Sequence, residues 1–120
     1  MQAELKDADL GEFLLWLLRR RWRYRVSGNS MLPVLQPGDE ILVDKRAYRK
    51  ARPMPGDLVV ARHPHQKDVR LVKQVVAVDA DGRCQLEGTN LLGVIESSDS
   101  RGFGPLSPEK IVGRVTSRFA

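Results

Sequence analysis

A chain of 120 residues is long enough for one domain with a single modest core and too short for two ordinary ones. With 42% hydrophobic and 29% charged residues it has the composition of a folded globular protein, and its single cysteine, Cys84, excludes an internal disulfide and a thiolate zinc cluster. The net charge of +5 would suit an anionic partner, but the excess is concentrated in "RRRWRYR", Arg19 to Arg25, where five residues in seven are arginine.

The first predicted element is a helix. Leu10, Phe13, Leu14, Leu17 and Leu18 recur at helical spacing, Asp7 or Asp9 is available as the cap, and arginines stand at the end where the helix dipole favours cations. Leu15 and Trp16 fall off this stripe. Packing of the stripe into the core is favoured over contact with a membrane, and little lipid binding is expected. The arginine run reads either as a solvated helix end or as a membrane-binding or partner-binding surface, and both readings stay open. "FLLWLL", Phe13 to Leu18, falls well short of the ~18 to 20 apolar residues of a membrane span, so no transmembrane helix is predicted. Acidic residues precede it, arginines follow it and no small-residue cleavage site comes next, which is unlike a secretory signal; the expected compartment is the cytoplasm.

From Glu40 onward the pattern changes to short β-branched runs: "EILVD", "DLVVA", "RLVKQVVAV", "RCQLE" and "KIVGRVT". Pro37-Gly38-Asp39 and Pro55-Gly56-Asp57 form turns ahead of the first two runs, and Asp81-Gly82 is a two-residue hairpin signal between the third and fourth. Residues 88–110, rich in Ser, Gly and Pro, read as a long surface loop of the kind that carries function. The predicted fold is mainly β, an antiparallel domain behind one N-terminal helix.

For chemistry, His63 and His65 flank Pro64 with no cysteine or carboxylate at ligand spacing, so they read as exposed loop residues, and neither a metal nor another cofactor is expected. Sequence order leaves a Ser-His-Asp arrangement open, although no Gly-x-Ser-x-Gly elbow is present. The other base available to a serine is Lys73, which interrupts the apolar strand "LVKQVVAV". Burial there would disfavour the ammonium form, and lowering a lysine from ~10.4 to roughly 7 to 8 requires about 3 to 5 kcal/mol. A lone strand lysine is more often solvent-facing than catalytic.

The ordered series "SMLP" with "PGD", "PGDLVV", "RLVKQVV", "EGTN", "SSDSRGFGPL" and "IVGRV", from Val26 to Val115, resembles the signal peptidase I family of Ser/Lys proteases. That resemblance implies a signal-peptidase-like antiparallel β domain, a partly open barrel, with residues 1–25 as a helix and basic segment and 26–120 as the catalytic domain. It implies Ser30 as nucleophile, presented by a turn that Met31 and Pro33 help to shape, and Lys73 as general base. Ser97 would hydrogen-bond the base amine, while Asp99 and Arg101 would hold the late loop beside the site. Three positions depart from the family pattern. Gly28 stands where many members carry a serine that donates to the oxyanion, which leaves the Ser30 backbone N–H for that task. Gln74 replaces an arginine after the lysine, and Thr89 replaces the aspartate of Gly-Asp-Asn.

With its short helix and minimal core, the chain is most similar to a soluble subgroup, the maturation proteases of nickel-type superoxide dismutase. The implied partner is a precursor protein, with no nucleic acid and an open question of membrane contact. The other readings are a self-cleaving repressor-type Ser/Lys protease and a non-enzymatic basic module that binds nucleic acid or membrane through Arg19 to Arg25.

Overall fold

The computed structural model describes residues 5–28, 31–67, 69–89 and 104–119. Among these residues one α-helix, α1 (Leu10–Leu17), precedes six strands: β1 (Trp22–Arg25), β2 (Glu40–Asp44), β3 (Leu58–Arg62), β4 (Arg70–Val78), β5 (Cys84–Glu87) and β6 (Ile111–Phe119). They form one antiparallel sheet in the order β1-β2-β6-β3-β4-β5. The mainly β expectation holds. The sheet is covered on both faces at its centre, which accounts for the unbroken apolar run in β3. Leu58 and Val60 pack with Val26, Met31, Leu35, Ile41, Val43 and Val115, whereas Val59 and Ala61 pack on the other face with Val75, Cys84, Leu86 and Leu106.

Both predicted Pro-Gly-Asp turns form, and by the same construction. Gly38 and Gly56 take positive φ (92° and 99°), the following aspartate N–H donates to the carbonyl of Gln36 or Met54 at 3.0 Å, and the aspartate carboxylate accepts from that same residue's N–H. The third turn differs from its prediction. Asp79 N–H donates to the Arg83 carbonyl at 2.8 Å, and the loop between them has three residues, Ala80 to Gly82, with Gly82 at φ 89°. This is the hairpin in which a glycine supplies the left-handed position after two ordinary turn residues, so Asp81-Gly82 needs one more residue than the dipeptide signal implied.

Two further expectations change. The arginine run is not a helix end throughout. The helix closes with Leu18 N–H on Leu14 O and Arg20 N–H on Leu15 O, Arg19 turns to φ 61°, and Trp22 to Arg25 then join the sheet as an edge strand against β2. Three of the five arginines are engaged. Arg21 Nε donates to Glu12 Oε2 at 2.9 Å, Arg23 pairs with Glu40 and lies 4.5 Å from the Phe119 ring centroid, and Arg25 reaches Glu40 at 3.4 Å. The helix itself is inverted relative to the expectation of core packing. Its one buried residue is Glu12, Leu15 and Trp16 are half-buried, and the stripe of Leu10, Phe13, Leu14, Leu17 and Leu18 faces outward.

The inversion has a local cause. Asp9 caps the helix by accepting from Glu12 N–H at 2.9 Å, and the first turn directs Glu12 onto β6, where Thr116 and Ser117 donate to its Oε1. Ahead of the cap, Ala8 N–H donates to Arg118 O at 2.7 Å and Arg118 N–H to Lys6 O at 2.8 Å. The Trp16 ring meets Phe119 edge-on at 5.0 Å. α1 is thus tied to the sheet before, within and after its length.

β6 carries a close approach. A Cβ on Gly113 would lie 2.6 Å from the Asp44 carbonyl oxygen and 2.9 Å from Val43 Cγ1, beside the bulge between Leu42 and Val43. Backbone cannot yield here as a flexible side chain would. Gly113→Ala is therefore expected to cost about 3 kcal/mol of stability, read as a lower urea midpoint; an unchanged midpoint would contradict the close packing of β2 on β6.

Candidate functional site

Lys73 sits in the middle of β4, opposite Val59 of β3, and is 2% exposed. Leu71 and Val75 share its face and are buried as well, so the lysine interrupts an apolar wall. The solvent-facing position usual for a lone strand lysine is not the one Lys73 takes. β5 pairs with β4 only from Gln74 to Val78. On that side Arg70 to Val72 therefore have no strand partner among the described residues.

Facing this half-strand is the loop between β1 and β2, on which Ser30 falls. Val26 N–H donates to Asp39 O and Gly38 N–H to Val26 O, each at 2.8 Å, which closes the loop at its base. Met31 and Leu35 are buried in the core and linked by a Leu35 N–H to Met31 O hydrogen bond of 2.8 Å; the Leu32–Pro33 peptide between them is cis. Tyr24 to Gly28, Met31, Val60 and Val69 to Lys73 line one cleft of about 300 Å³. The cleft thus brings the candidate base together with Gly28, at φ 79°, and Met31, which bracket Asn29 and Ser30 in sequence. Ser30 itself, with Ser97, Asp99 and Arg101, lies outside the described residues.

Two contacts that hold the loop are not evident in the sequence. Thr89, read as a departure from the Gly-Asp-Asn pattern, donates its hydroxyl to the Leu32 carbonyl at 3.1 Å. The Arg118 guanidinium donates to the Val34 carbonyl and also approaches Asp7 at 3.1 Å and Asp39 at 3.6 Å. Neither partner could be found by pattern, since Thr89 and Arg118 lie 57 and 84 residues from the carbonyls they meet.

Other reactive side chains are accounted for differently. Burial, then the carboxylates of Asp79 and Asp57, pushes the Cys84 thiol up, away from thiolate character. Burial likewise raises the Tyr48 phenol, reinforced by the hydrogen bond it donates to Asp57 at 2.7 Å. His63 Nδ1 accepts from the N–H groups of His65 and Gln66 at 3.0 Å each, which makes it part of a turn. Among the described residues no group of three His, Cys, Asp or Glu side chains is placed to hold a metal ion.

A lysine shut away from water in a strand, beside the loop that carries a serine, is the side-chain set of the serine/lysine peptidase class. Residues 13–92 match the family described as signal peptidase, peptidase S26, and the chain belongs to that family. It is 38% identical over 58 residues to signal peptidase I of Aquifex aeolicus, an alignment covering 48% of this chain and 23% of that protein. It is 30% identical over 111 residues to mitochondrial inner membrane protease subunit 1 of Xenopus tropicalis, covering 77% of this chain and 65% of the relative. The corresponding figures for mitochondrial ATP-independent inner membrane protease subunit 1b of Arabidopsis thaliana are 31% over 113 residues, 76% and 65%. The chain thus spans just under two thirds of the mitochondrial relatives and about a quarter of the bacterial one.

Proposed function

We propose that the protein is a serine endopeptidase that removes an N-terminal leader from a precursor protein, with Ser30 as nucleophile and Lys73 as base. The observation that carries this reading is the cleft shared by buried Lys73 and the residues flanking Ser30. In the mechanism, the neutral Lys73 amine takes the hydroxyl proton as Ser30 Oγ attacks the scissile carbonyl, and the Ser30 backbone N–H donates to the oxyanion. The proton passes to the departing amine as the acyl-enzyme forms, and Lys73 then deprotonates the water that releases the acyl group. Ser97 orients the amine, with Asp99 and Arg101 supporting its loop.

An extended substrate suits the cleft. The strand edge of Arg70 to Val72 can accept main-chain hydrogen bonds from an added strand, and Tyr24 to Gly28 form the opposite wall. This geometry supports a leader segment bound in β conformation with its scissile bond beside Lys73. The finer reading, that the precursor is a nickel-type superoxide dismutase and that cleavage occurs in the cytoplasm, rests on the likeness of "LLWLLR", the arginine run and "VARHP" to the maturation proteases of that enzyme.

The test is to incubate the protein with full-length precursor superoxide dismutase and to determine the N-terminus of the product by mass spectrometry. Absence of cleavage there, together with cleavage of another leader-bearing precursor, would remove the substrate assignment and keep the peptidase. The rate should rise with pH as Lys73 loses its proton, with a midpoint below the ~10.4 of a solvated lysine, because burial penalises the ammonium form. Ser97→Ala should slow cleavage without abolishing it. A rate independent of pH on the acid side would speak against an amine base.

A further inference from the structure

We propose that the basic cleft at the turn of the β3–β4 hairpin binds an acidic segment of the substrate polypeptide, an inference that rests on the peptidase function proposed above. The cleft, of about 490 Å³, is lined by Arg62, Lys67 and Arg70 of the hairpin and by Lys110 ahead of β6, together with His63 and His65. No carboxylate is among its described lining residues, and Asp68, the one acid of the hairpin, lies outside the described residues.

The four cations lack counter-charges. Arg21, Arg23, Arg25, Arg83 and Arg118 each meet a carboxylate, whereas none of Arg62, Lys67, Arg70 and Lys110 has an ion pair among the described residues. The sheet sets two of them against each other. Arg62 of β3 pairs directly with Arg70 of β4, and the pairing of Ala61 with Ile111 brings Lys110 alongside. Like charges directly opposite on neighbouring strands destabilise a sheet. An anion entering the cleft relieves that repulsion, so the row costs the free protein stability in return for binding.

Position identifies the anion. The basic cleft shares Val69 and Arg70 with the cleft that holds Lys73. An extended chain advances about 3.3 Å per residue, so a substrate strand added along Arg70 to Val72, with its scissile bond beside Lys73, passes Arg70 about three residues away and enters the basic cleft just beyond. Carboxylates at that distance would meet guanidinium and ammonium groups while the reacting bond lies in the other cleft. A nucleic-acid strand fits less well, because no Phe, Tyr or Trp lines the basic cleft as a stacking platform. The subsite thus selects among precursors by acidic residues a few positions from the cut and leaves the chemistry at the bond unchanged.

The experiment has a binding arm and a kinetic arm. Fluorescein-labelled hexaglutamate, hexaglutamine and hexathymidylate are each titrated with the full chain at physiological ionic strength and followed by fluorescence anisotropy. Hexaglutamate is expected to bind most tightly, and Arg62→Gln with Lys110→Gln to weaken it about fivefold, as expected for the loss of two exposed ion pairs. Arg49→Gln with Lys50→Gln removes the same charge outside the cleft and should leave binding unchanged. Arg62 and Lys110 are exposed and Arg62 faces a like charge, so the urea midpoint of their double variant should not fall. In the kinetic arm, paired glutamates about four residues from the scissile bond of a cleaved precursor should lower KM relative to paired glutamines, with kcat unchanged, and the Arg62→Gln/Lys110→Gln variant should lose that difference. Equal binding of hexaglutamate and hexaglutamine, tighter binding of hexathymidylate, equal weakening by both double variants, or equal KM for the acidic and neutral precursors would overturn the proposal. Hexaglutamate binding is read without cleavage, so hexaglutamate bound with no precursor cut would keep the acidic-polypeptide site and remove the peptidase function instead.

Discussion

Alanine at Ser30 or at Lys73 is expected to slow precursor cleavage by about three orders of magnitude or more, and the double variant is expected to be scarcely slower than either single one. Members of one catalytic unit fail together, because a hydroxyl without its base and a base without its nucleophile are equally idle. Lys73→Arg is the sharper comparison. It keeps the length and the charge, but a guanidinium does not give up its proton in a protein, so the variant should be inactive. Near-normal cleavage by Lys73→Arg would reduce Lys73 to a structural cation and sink the mechanism. Lys73→Met fills the same apolar wall without charge, and a folded, inactive Met variant would separate loss of the base from loss of the fold.

The largest effect on stability is expected at Glu12. Its Oε1 accepts from Thr116 and from Ser117 at 2.9 Å, and its Oε2 from Arg21, whose side chain is 16% exposed. Glu12→Ala leaves two hydroxyls and a largely buried guanidinium without this acceptor, and removal of one partner of a buried ion pair costs about 3–5 kcal/mol. Adding Arg21→Met to Glu12→Ala should recover part of that loss, and the double-mutant cycle would measure the coupling. Additive losses would mean that the pair does not act together.

The same site gives a pH dependence. Burial alone would raise the Glu12 carboxyl, but the hydrogen bonds from Thr116 and Ser117 and the charge of Arg21 outweigh it and hold it below the ordinary carboxylate range. Its contribution is therefore present above the unfolded-state value and is lost as pH falls through the lower folded-state one. Acid unfolding of the Glu12→Gln variant should show a shallower dependence in that window.

Much of the sheet is legible in the sequence because its signals are local. β2 and β4 coincide with "EILVD" and "RLVKQVVAV", and both Pro-Gly-Asp turns carry their own hydrogen-bond partners within three residues. Burial of Lys73 agrees with its apolar neighbours, although a strand lysine by itself is more often solvent-facing. The orientation of α1 is not legible, since "LGEFLLWL" has apolar residues on most sides and the decisive polar contact reaches Thr116 and Ser117, more than 100 residues away. β1 was obscured by charge. Its alternation of Trp22 and Tyr24 with Arg23 and Arg25 is strand-like, but it is short and embedded in an arginine run. The tethers from Thr89 and Arg118 to the loop that includes Ser30 are long-range choices of the folded chain, and no spacing rule anticipates them.

The place of β6 has a bearing on how the protein is born. The strand formed last along the chain, Ile111–Phe119, lies between β2 and β3, in the middle of the sheet. Without it the sheet falls into two separate ladders, β1 with β2, and β3 with β4 and β5. Ser30 belongs by connectivity to the first and Lys73 to the second. A nascent chain on the ribosome can build either ladder as it emerges, but side-chain packing such as that of Leu58 and Val60 on Val26, Met31 and Ile41, and no strand pairing, joins them until residues 111–119 are threaded between the two. The proposed nucleophile and its base therefore belong to one continuous sheet only once this strand is in place.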